Sequence, residues 1–360
     1  MPSLPAEPPE ANPSFPGGAE GRPPAQERPG PAGPEDLGGG VWSVPVPIPG
    51  NPLAYTLVYA LESPRGPVLV DAGWEHEDAW SALKNGLGSF GIDIADVYGV
   101  VVTHFHPDHA GLAGRVREAS GAWVAMHADD AAIIRTFREV LGKDTGRSWE
   151  RENLRRAGAD ERELAEHSGR DGVDPPALPD RELTDRELVD LPGRRLRAIW
   201  TPGHSPGHIC LNLEDADRIF TGDHVLPRIT PHIGLYPYDT PDVDPLGVFM
   251  DSLRRVAALD VGEVLPAHQY RFNGLADRAR DIIRHHEERL DEVAALLSAE
   301  PRTLWELAAG MTWRGGWDEM SITSRRMAAG EAAAHLRTLE RRGVARREGD
   351  ADPLRFVRAR

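Results

Sequence analysis

The chain of 360 residues is short of several things, and each shortage excludes something. It has one cysteine, Cys210, so no internal disulfide can form; its place in the strand-like stretch from His208 to Leu213 marks it as a small core residue and fits a reducing compartment. It has no apolar run of about eighteen residues, which excludes a membrane-spanning helix. Its N-terminus lacks a basic segment followed by an apolar core, so the expectation is a cytoplasmic protein without a signal peptide. It is also short of positive charge. Lys and Arg number 41 against 57 Asp and Glu, a net charge of -16, which argues against a general polyanion binder that works through phosphate contacts. Residues 1–38 have only Leu4, Phe15 and Leu37 as larger apolar side chains among Pro, Gly, Ala and Glu. That is too little burial to offset the entropy of ordering, and the segment is predicted to be a disordered tail.

What the chain does have is one dense stretch, Thr103-His104-Phe105-His106-Pro107-Asp108-His109-Ala110-Gly111. Three imidazoles and a carboxylate within six residues suit one metal ion, or two close together. The preceding Gly99-Val100-Val101-Val102-Thr103 reads as a buried strand, so the cluster sits on the loop leaving it. Three later fragments repeat the design. Ile199 to His208 ends an apolar strand in a Gly/Pro turn that presents His204; Arg218 to Asp223 ends in Thr-Gly-Asp; Glu263 to His268 ends in Pro-Ala-His. A carboxylate such as Asp223 has two oxygens and can lie between two cations.

In this order, the four motifs T-H-x-H-x-D-H, T-P-G-H-x-x-G-H, T-G-D and P-x-H resemble those of the metallo-β-lactamase superfamily, over about Val41 to His286. The resemblance implies an α/β fold, an αββα sandwich with a binuclear metal site at the sheet edge. Position by position it implies that His104, His106 and His204 hold one ion, that Asp108, His109 and His268 hold a second, and that Asp223 bridges them. It also implies that Asp71, at the end of Pro67-Val68-Leu69-Val70-Asp71, orients a ligand histidine by accepting its ring N–H. The loop departs from the commonest pattern in having Ala110-Gly111-Leu112 after the last histidine, which changes no ligand. With His and carboxylate donors and no thiolate, Zn(2+) is the first expectation, with Mn(2+) or Fe(2+) as alternatives.

The rest of the chain is organised around these motifs. Strands over 55–61 and 67–71 form a hairpin; helices over 75–87 and 111–119 alternate with strands over 99–103 and 122–126, the pattern of α/β layering. His127 ends the last of these strands and is read as structural. Residues 39–285 are taken as the hydrolase domain, with 128–188 a mostly helical insertion able to form a lid or a substrate wall. Arg228, His232, Tyr236 and Tyr238 follow the bridging aspartate, and Tyr270 and Arg271 follow His268; these are the candidate substrate-binding residues. A long amphipathic helix over 275–297 leads into residues 286–360, read as a small winged-helix domain: helices over 303–309 and 321–342, then a hairpin of 344–348 and 354–357. A branch of the same superfamily ends in such a domain.

The favoured reading is a hydrolase in which hydroxide formed at the metal pair cleaves an activated acyl compound, a thioester, ester or lactone, with Asp108 as the catalytic residue that orients the hydroxide and passes on its proton. The first alternative is a single-stranded RNA endonuclease using arginines such as Arg337, Arg341, Arg342, Arg346 and Arg347 on phosphates. The second is a mononuclear-iron persulfide dioxygenase, which shares the histidine-rich loop. Under the favoured reading the partner is a small acyl substrate, nucleic acid is a possible partner but not the favoured one, no membrane is expected, and the C-terminal domain is a wall or a homodimer contact.

Overall fold

The computed structural model describes residues 33–140, 151–166, 175–236, 242–349 and 352–359. Tyr238, and much of the region 128–188, therefore lie outside the described residues.

Strands whose side chains are buried on both faces set the architecture. The first sheet runs in chain order through β1 (Glu35–Asp36), β2 (Val41–Pro47), β3 (Tyr55–Leu61), β4 (Val68–Val70), β5 (Gly99–Val101), β6 (Trp123–His127) and β7 (Arg181–Leu183). β1 to β4 pair antiparallel, while β4 to β7 pair parallel and are joined by helical crossovers. The second sheet has the order β11-β10-β9-β8, made of β8 (Leu196–Trp200), β9 (Ile209–Leu213), β10 (Arg218–Gly222) and β11 (Glu263–Pro266).

The two-residue period of a strand divides each run between two cores. On β3, Leu57, Tyr59 and Leu61 enter the core between the sheets, while Val58 and Ala60 face the other way. There they meet Trp80, Leu83 and Leu87 of the helix Glu77–Gly88 and Ile133 and Ile134 of the helix Ala128–Val140. On the second sheet Ile209, Leu211, Phe220 and Leu265 point inward. Cys210, Ile219 and Val264 point out against the helices Pro245–Val256 and Leu275–Leu296. The layering is thus αββα, as expected, and Cys210 is a core residue whose thiol is pushed up to about 12 by burial.

Some expectations need correction. The tail does not extend to residue 38: Glu35 and Asp36 pair with Ser43 and Trp42, and Arg218 donates to the carbonyls of Gly38 (2.8 Å) and Leu37 (2.6 Å). The region 128–188 is not wholly an excursion, because its first helix belongs to the outer layer and β7 extends the first sheet. What does leave the sandwich is 151–166, where Leu154, Ala157 and Leu164 pack against the C-terminal region. The boundary drawn at 286 falls inside the helix Leu275–Leu296, and Ile282, Leu290 and Val293 share one core with Leu307, Ala332 and Leu336.

Beyond that helix come β12 (Arg302–Thr303), the helices Leu304–Gly310 and Ile322–Arg341, then β13 (Ala345–Arg347) and β14 (Arg355–Arg358) in a sheet of order β12-β14-β13. Thr303 caps its helix: its hydroxyl accepts from Glu306 N at 3.1 Å while the Glu306 carboxylate accepts from Thr303 N at 2.7 Å.

A chain shortened to begin at Gly33 should melt together with the full chain. One beginning at Val41 loses the β1 pairing and both Arg218 bonds and should melt about 2–4 °C lower. Scanning calorimetry checks this, and equal melting of the two would mean that residues 33–40 add nothing.

Candidate metal centre

The donor residues sit where strands of both sheets end on one edge of the sandwich. β5 runs through Val102 and Thr103 into His104, β8 ends before His204, β10 ends at Gly222 before Asp223, and β11 ends at Pro266 before His268. Backbone bonds tie these ends together: Ile209 N to Thr103 O (2.9 Å), Ala267 N to Gly222 O (3.0 Å) and Ala72 N to His109 O (2.8 Å). Gly222 has φ +51°, and a Cβ there would lie 2.7 Å from His208 Nε2 and 2.9 Å from Thr103 Cβ, so only glycine lets β10 deliver Asp223.

One local feature differs from the expected irregular loop. Pro107–Ala110 is a single helical turn with His106 as its N-cap and Pro107 at its first position, so Asp108 and His109 project from a short helix.

The seven residues named from the sequence come together. The atoms His104 Nε2, His106 Nδ1 and His204 Nε2 form one group, with His104 Nε2 and His106 Nδ1 3.0 Å apart. Asp108, His109 and His268 form another: Asp108 Oδ2 is 3.4 Å from both His109 Nε2 and His268 Nε2. Asp223 lies between them, with Oδ1 3.5 Å from His109 Nε2 and 3.2 Å from His268 Nε2, and Oδ2 3.5 Å from His204 Nε2.

Two observations show that this donor set fits cations. The inward atoms His109 Nε2, His204 Nε2, His268 Nε2 and Asp223 Oδ1 are buried without a hydrogen-bond partner, an arrangement that costs several kcal/mol unless something electrophilic occupies the space they share. In addition, Asp71, Asp108 and Asp223 form ion pairs only with histidines among the described residues, so buried negative charge gathers without Lys or Arg to balance it.

The imidazoles record both pressures. Burial holds His104 well below its ordinary range and His106 down to about 3, the neutral form that metal ligation requires. On His268 burial also acts downward, but the carboxylates of Asp223 and Asp108 outweigh it and raise the group to about 10. The same competition, with Asp71 added, raises His109.

Outer partners fix how the rings point. Asp71 Oδ2 accepts from His109 Nδ1 at 2.8 Å, and Asp71 Oδ1 accepts from Thr103 N at 2.7 Å. Asp71 does this from φ +62°, a left-handed conformation that aspartate tolerates better than most residues. His268 Nδ1 bonds the carbonyl of Tyr55, and His204 Nδ1 that of His232, both at 2.9 Å.

Two further positioning groups were not named as such in the sequence reading. His208 Nε2 accepts from Asp223 N at 3.2 Å while its Nδ1 bonds Thr201 Oγ1 at 2.8 Å; the second histidine of T-P-G-H-x-x-G-H was its only signal. Asp130 is fully buried and accepts from Phe105 N (2.9 Å), Ser205 Oγ (2.9 Å) and Gly207 N (2.6 Å). One carboxylate thereby clamps the loop of His104 and His106 to the loop of His204. Burial raises Asp130 to about 7 even though the three donated bonds pull it down.

The other candidates divide. His127 stacks on Trp200 with centroids 5.3 Å apart and planes 2° apart, a structural role as expected. The Tyr236 ring lies 6.4 Å from that of His106. Arg271 is engaged elsewhere, bonded to Glu263 (2.6 Å) and Glu35 (2.8 Å), and Tyr270 lines a small cleft beside it. Arg228 is exposed, its backbone N–H bonded to Gln269 Oε1.

Asp71→Asn, which keeps the left-handed backbone but gives up the carboxylate, should weaken metal binding about 10–100-fold. Asp130→Ala should also weaken it and cost roughly 3 kcal/mol of stability by stranding three donors, with Asp130→Asn milder on both counts. Competition with a chromophoric chelator and chemical denaturation measure these. Wild-type metal affinity in Asp130→Ala would mean that the clamp is not what aligns the loops.

Comparison with known proteins agrees with this geometry. The family model of the metallo-beta-lactamase superfamily matches residues 52–268, more than half of the chain. A lactamase-like protein, adaB of Aspergillus niger, is 27% identical over 253 residues, covering 69% of this chain and 62% of that protein. The chain thus spans less than two thirds of the length of that relative. A second, aptB of Emericella nidulans, is 33% identical over 117 residues, 32% of this chain and 35% of its own. Among solved structures, a metallo-beta-lactamase family protein from Thermus thermophilus superposes with a TM-score of 0.75 at 32% identity, over 90% of this chain and all of that one. A beta-lactamase domain protein from Burkholderia ambifaria gives 0.76 at 26% identity, over 91% and 94%. With its motifs, sandwich and donor cluster in agreement with these matches, the chain belongs to the metallo-β-lactamase superfamily and carries a His/Asp site suited to divalent metal.

Proposed function

We propose that the chain hydrolyses an activated acyl compound, a thioester, ester or lactone, at two divalent ions, with zinc the first choice. His104, His106 and His204 would hold one ion and Asp108, His109 and His268 the other, with Asp223 between them. The observation that carries the reading is the convergence of two triads around Asp223, with His109 Nε2, His204 Nε2, His268 Nε2 and Asp223 Oδ1 buried without a hydrogen-bond partner. Such ions supply Lewis acidity and draw a nucleophile from water near neutral pH.

The protein's own groups do the rest. Asp108 is the most exposed carboxylate of the cluster, its side chain 16% accessible against 10% for Asp223 and 2% for Asp71, so it is the one placed to meet substrate. Held 3.4 Å from two imidazoles and kept ionised by them against burial, it can orient a water and carry its proton to the departing atom. Asp71 and Asp130 keep the donors from turning aside.

Against the RNA reading stands the state of the C-terminal arginines. Arg342 is paired with Glu287 at 2.6 and 2.8 Å, Arg346 with Glu348 at 3.1 Å, and Arg341 donates to the carbonyl of Asp242. Arg342 and Arg346 are thus balanced by carboxylates of the fold. A complete second triad likewise favours two ions over the single iron of a dioxygenase.

Elemental analysis of protein purified with zinc should give about two ions per chain. His106→Ala and Asp108→Ala should abolish turnover of a thioester and lactone panel while the circular dichroism spectrum is kept. Neutralising Arg341, Arg342 and Arg346 together should change thioester turnover only a few-fold, with weak dependence on salt. Robust RNA cleavage that collapses between about 50 and 200 mM salt, with no acyl substrate turned over, would replace this reading with the nuclease.

A further inference from the structure

Of the two cavities that Tyr236 walls, one has a donor residue in its lining. The cavity of about 370 Å³ between residues 153–157, the stretch from His232 to Tyr236 and the helix Ile322–Arg341 has none. The other, of about 400 Å³, is lined by His204, whose Nε2 belongs to the first donor group, and by Tyr236, whose ring lies 6.4 Å from that of His106. It therefore opens beside the reaction centre.

The walls of this cavity are apolar. Ile133, Trp200, Pro202 and Pro245 stand around it, together with Val243 and Val248. Among the described residues three large apolar side chains are exposed, and two of them are Val243 and Val248, each 37% accessible. Scattered singly such groups mean little, but two on one hollow that also contains a donor residue mark a place for an apolar ligand. No Lys or Arg lines the cavity among the described residues, and its one carboxylate is Asp129.

Its walls are held before any ligand arrives. The Trp200 ring stacks on His127, and its Nε1 donates to the carbonyl of Pro206 at 2.8 Å. Pro245 and Val248 belong to the helix Pro245–Val256, whose start is fixed by Asp244 accepting from Gly247 N at 2.9 Å. A hollow formed in advance costs little side-chain entropy on binding. A methylene takes roughly the 30 Å³ of a liquid water, so the volume holds about six to ten carbons and not a long lipid chain.

We propose that the substrate carries a neutral, medium-length apolar group that sits in this cavity against Trp200 and Val248. Under the acyl-hydrolase reading above, on which this rests, that group is the acyl chain. Asp129 sets a second limit. Its carboxylate at the wall repels a chain that ends in a carboxylate of its own, so the plain alkyl chain is taken and the dicarboxylic one is disfavoured.

Two series on the full-length, metal-loaded protein test it. In calorimetry with straight-chain hydroxamates, binding should tighten about two- to fourfold per methylene between about four and eight carbons and level off beyond about ten. The monohydroxamate of octanedioic acid should bind about tenfold or more weakly than octanohydroxamate, and Asp129→Asn should narrow that gap. Val248→Trp fills the cavity from an exposed position, while Val243→Thr/Val248→Thr keeps its shape and makes the wall polar. Both should flatten the chain-length series, and circular dichroism checks that both fold. In turnover, the octanoyl thioester of N-acetylcysteamine should exceed the acetyl one about tenfold or more in kcat/KM, mainly through KM, and each variant should shrink that ratio. Equal binding at all chain lengths, or a series that neither variant alters, would overturn the proposal; a gap unchanged in Asp129→Asn would overturn its charge limit. Thioester turnover without chain-length preference would also overturn it and leave the acyl-hydrolase reading standing. A chain-length series flattened by the variants, with no thioester, ester or lactone turned over, would uphold the cavity as the site of an apolar chain and sink the acyl-hydrolase reading instead.

Discussion

Buried negative charge is the constraint on which this structure depends. Asp71, Asp108 and Asp223 are brought into one cluster with five imidazoles, and among the described residues no lysine or arginine pairs with them. A cluster of that kind is costly to assemble without cations, since each ionised group has given up water. The fold accordingly holds the donors from outside. Backbone carbonyls of Tyr55 and His232 and the Asp71 carboxylate take the outer ring N–H groups, leaving the inner nitrogens to face one another.

That outer support needs rigid anchorage, and the two sheets provide it. Each contributing strand is buried on both faces, so its end cannot shift without disturbing two cores at once. Where the scaffold turns into loops, Asp130 replaces sheet pairing with three hydrogen bonds across the two loops. Removing an acceptor of this kind strands several donors together, which is why one carboxylate can govern the alignment of three histidines.

The C-terminal region shares this logic of common cores. Its helices pack on Leu275–Leu296 and on residues 154–164, and Glu163 ties the two parts together through Trp305 Nε1 at 3.0 Å and Arg325 at 3.3 Å. The cavity between residues 153–157, the stretch His232 to Tyr236 and the C-terminal region takes its arginines from the first and the last of these.

The sequence by itself determined the site's composition and most of the frame. The four motifs at strand ends named the seven donors, because a metal-ligand set requires particular residue types at tight spacing and leaves a local record. The continuous apolar runs named the doubly buried strands. Tertiary structure alone decided what has no local record. Asp130 looks like any acidic residue near the start of a helix until two distant loops close on it, and Arg271 looks like a candidate contact until Glu263 and Glu35 claim it. The early strand at Glu35 was unreadable for the same reason, since two residues gain a strand's identity only from the partner that pairs with them. Chemistry that depends on residue type is written along the chain, whereas support and substrate shape arise from contacts between residues far apart in it.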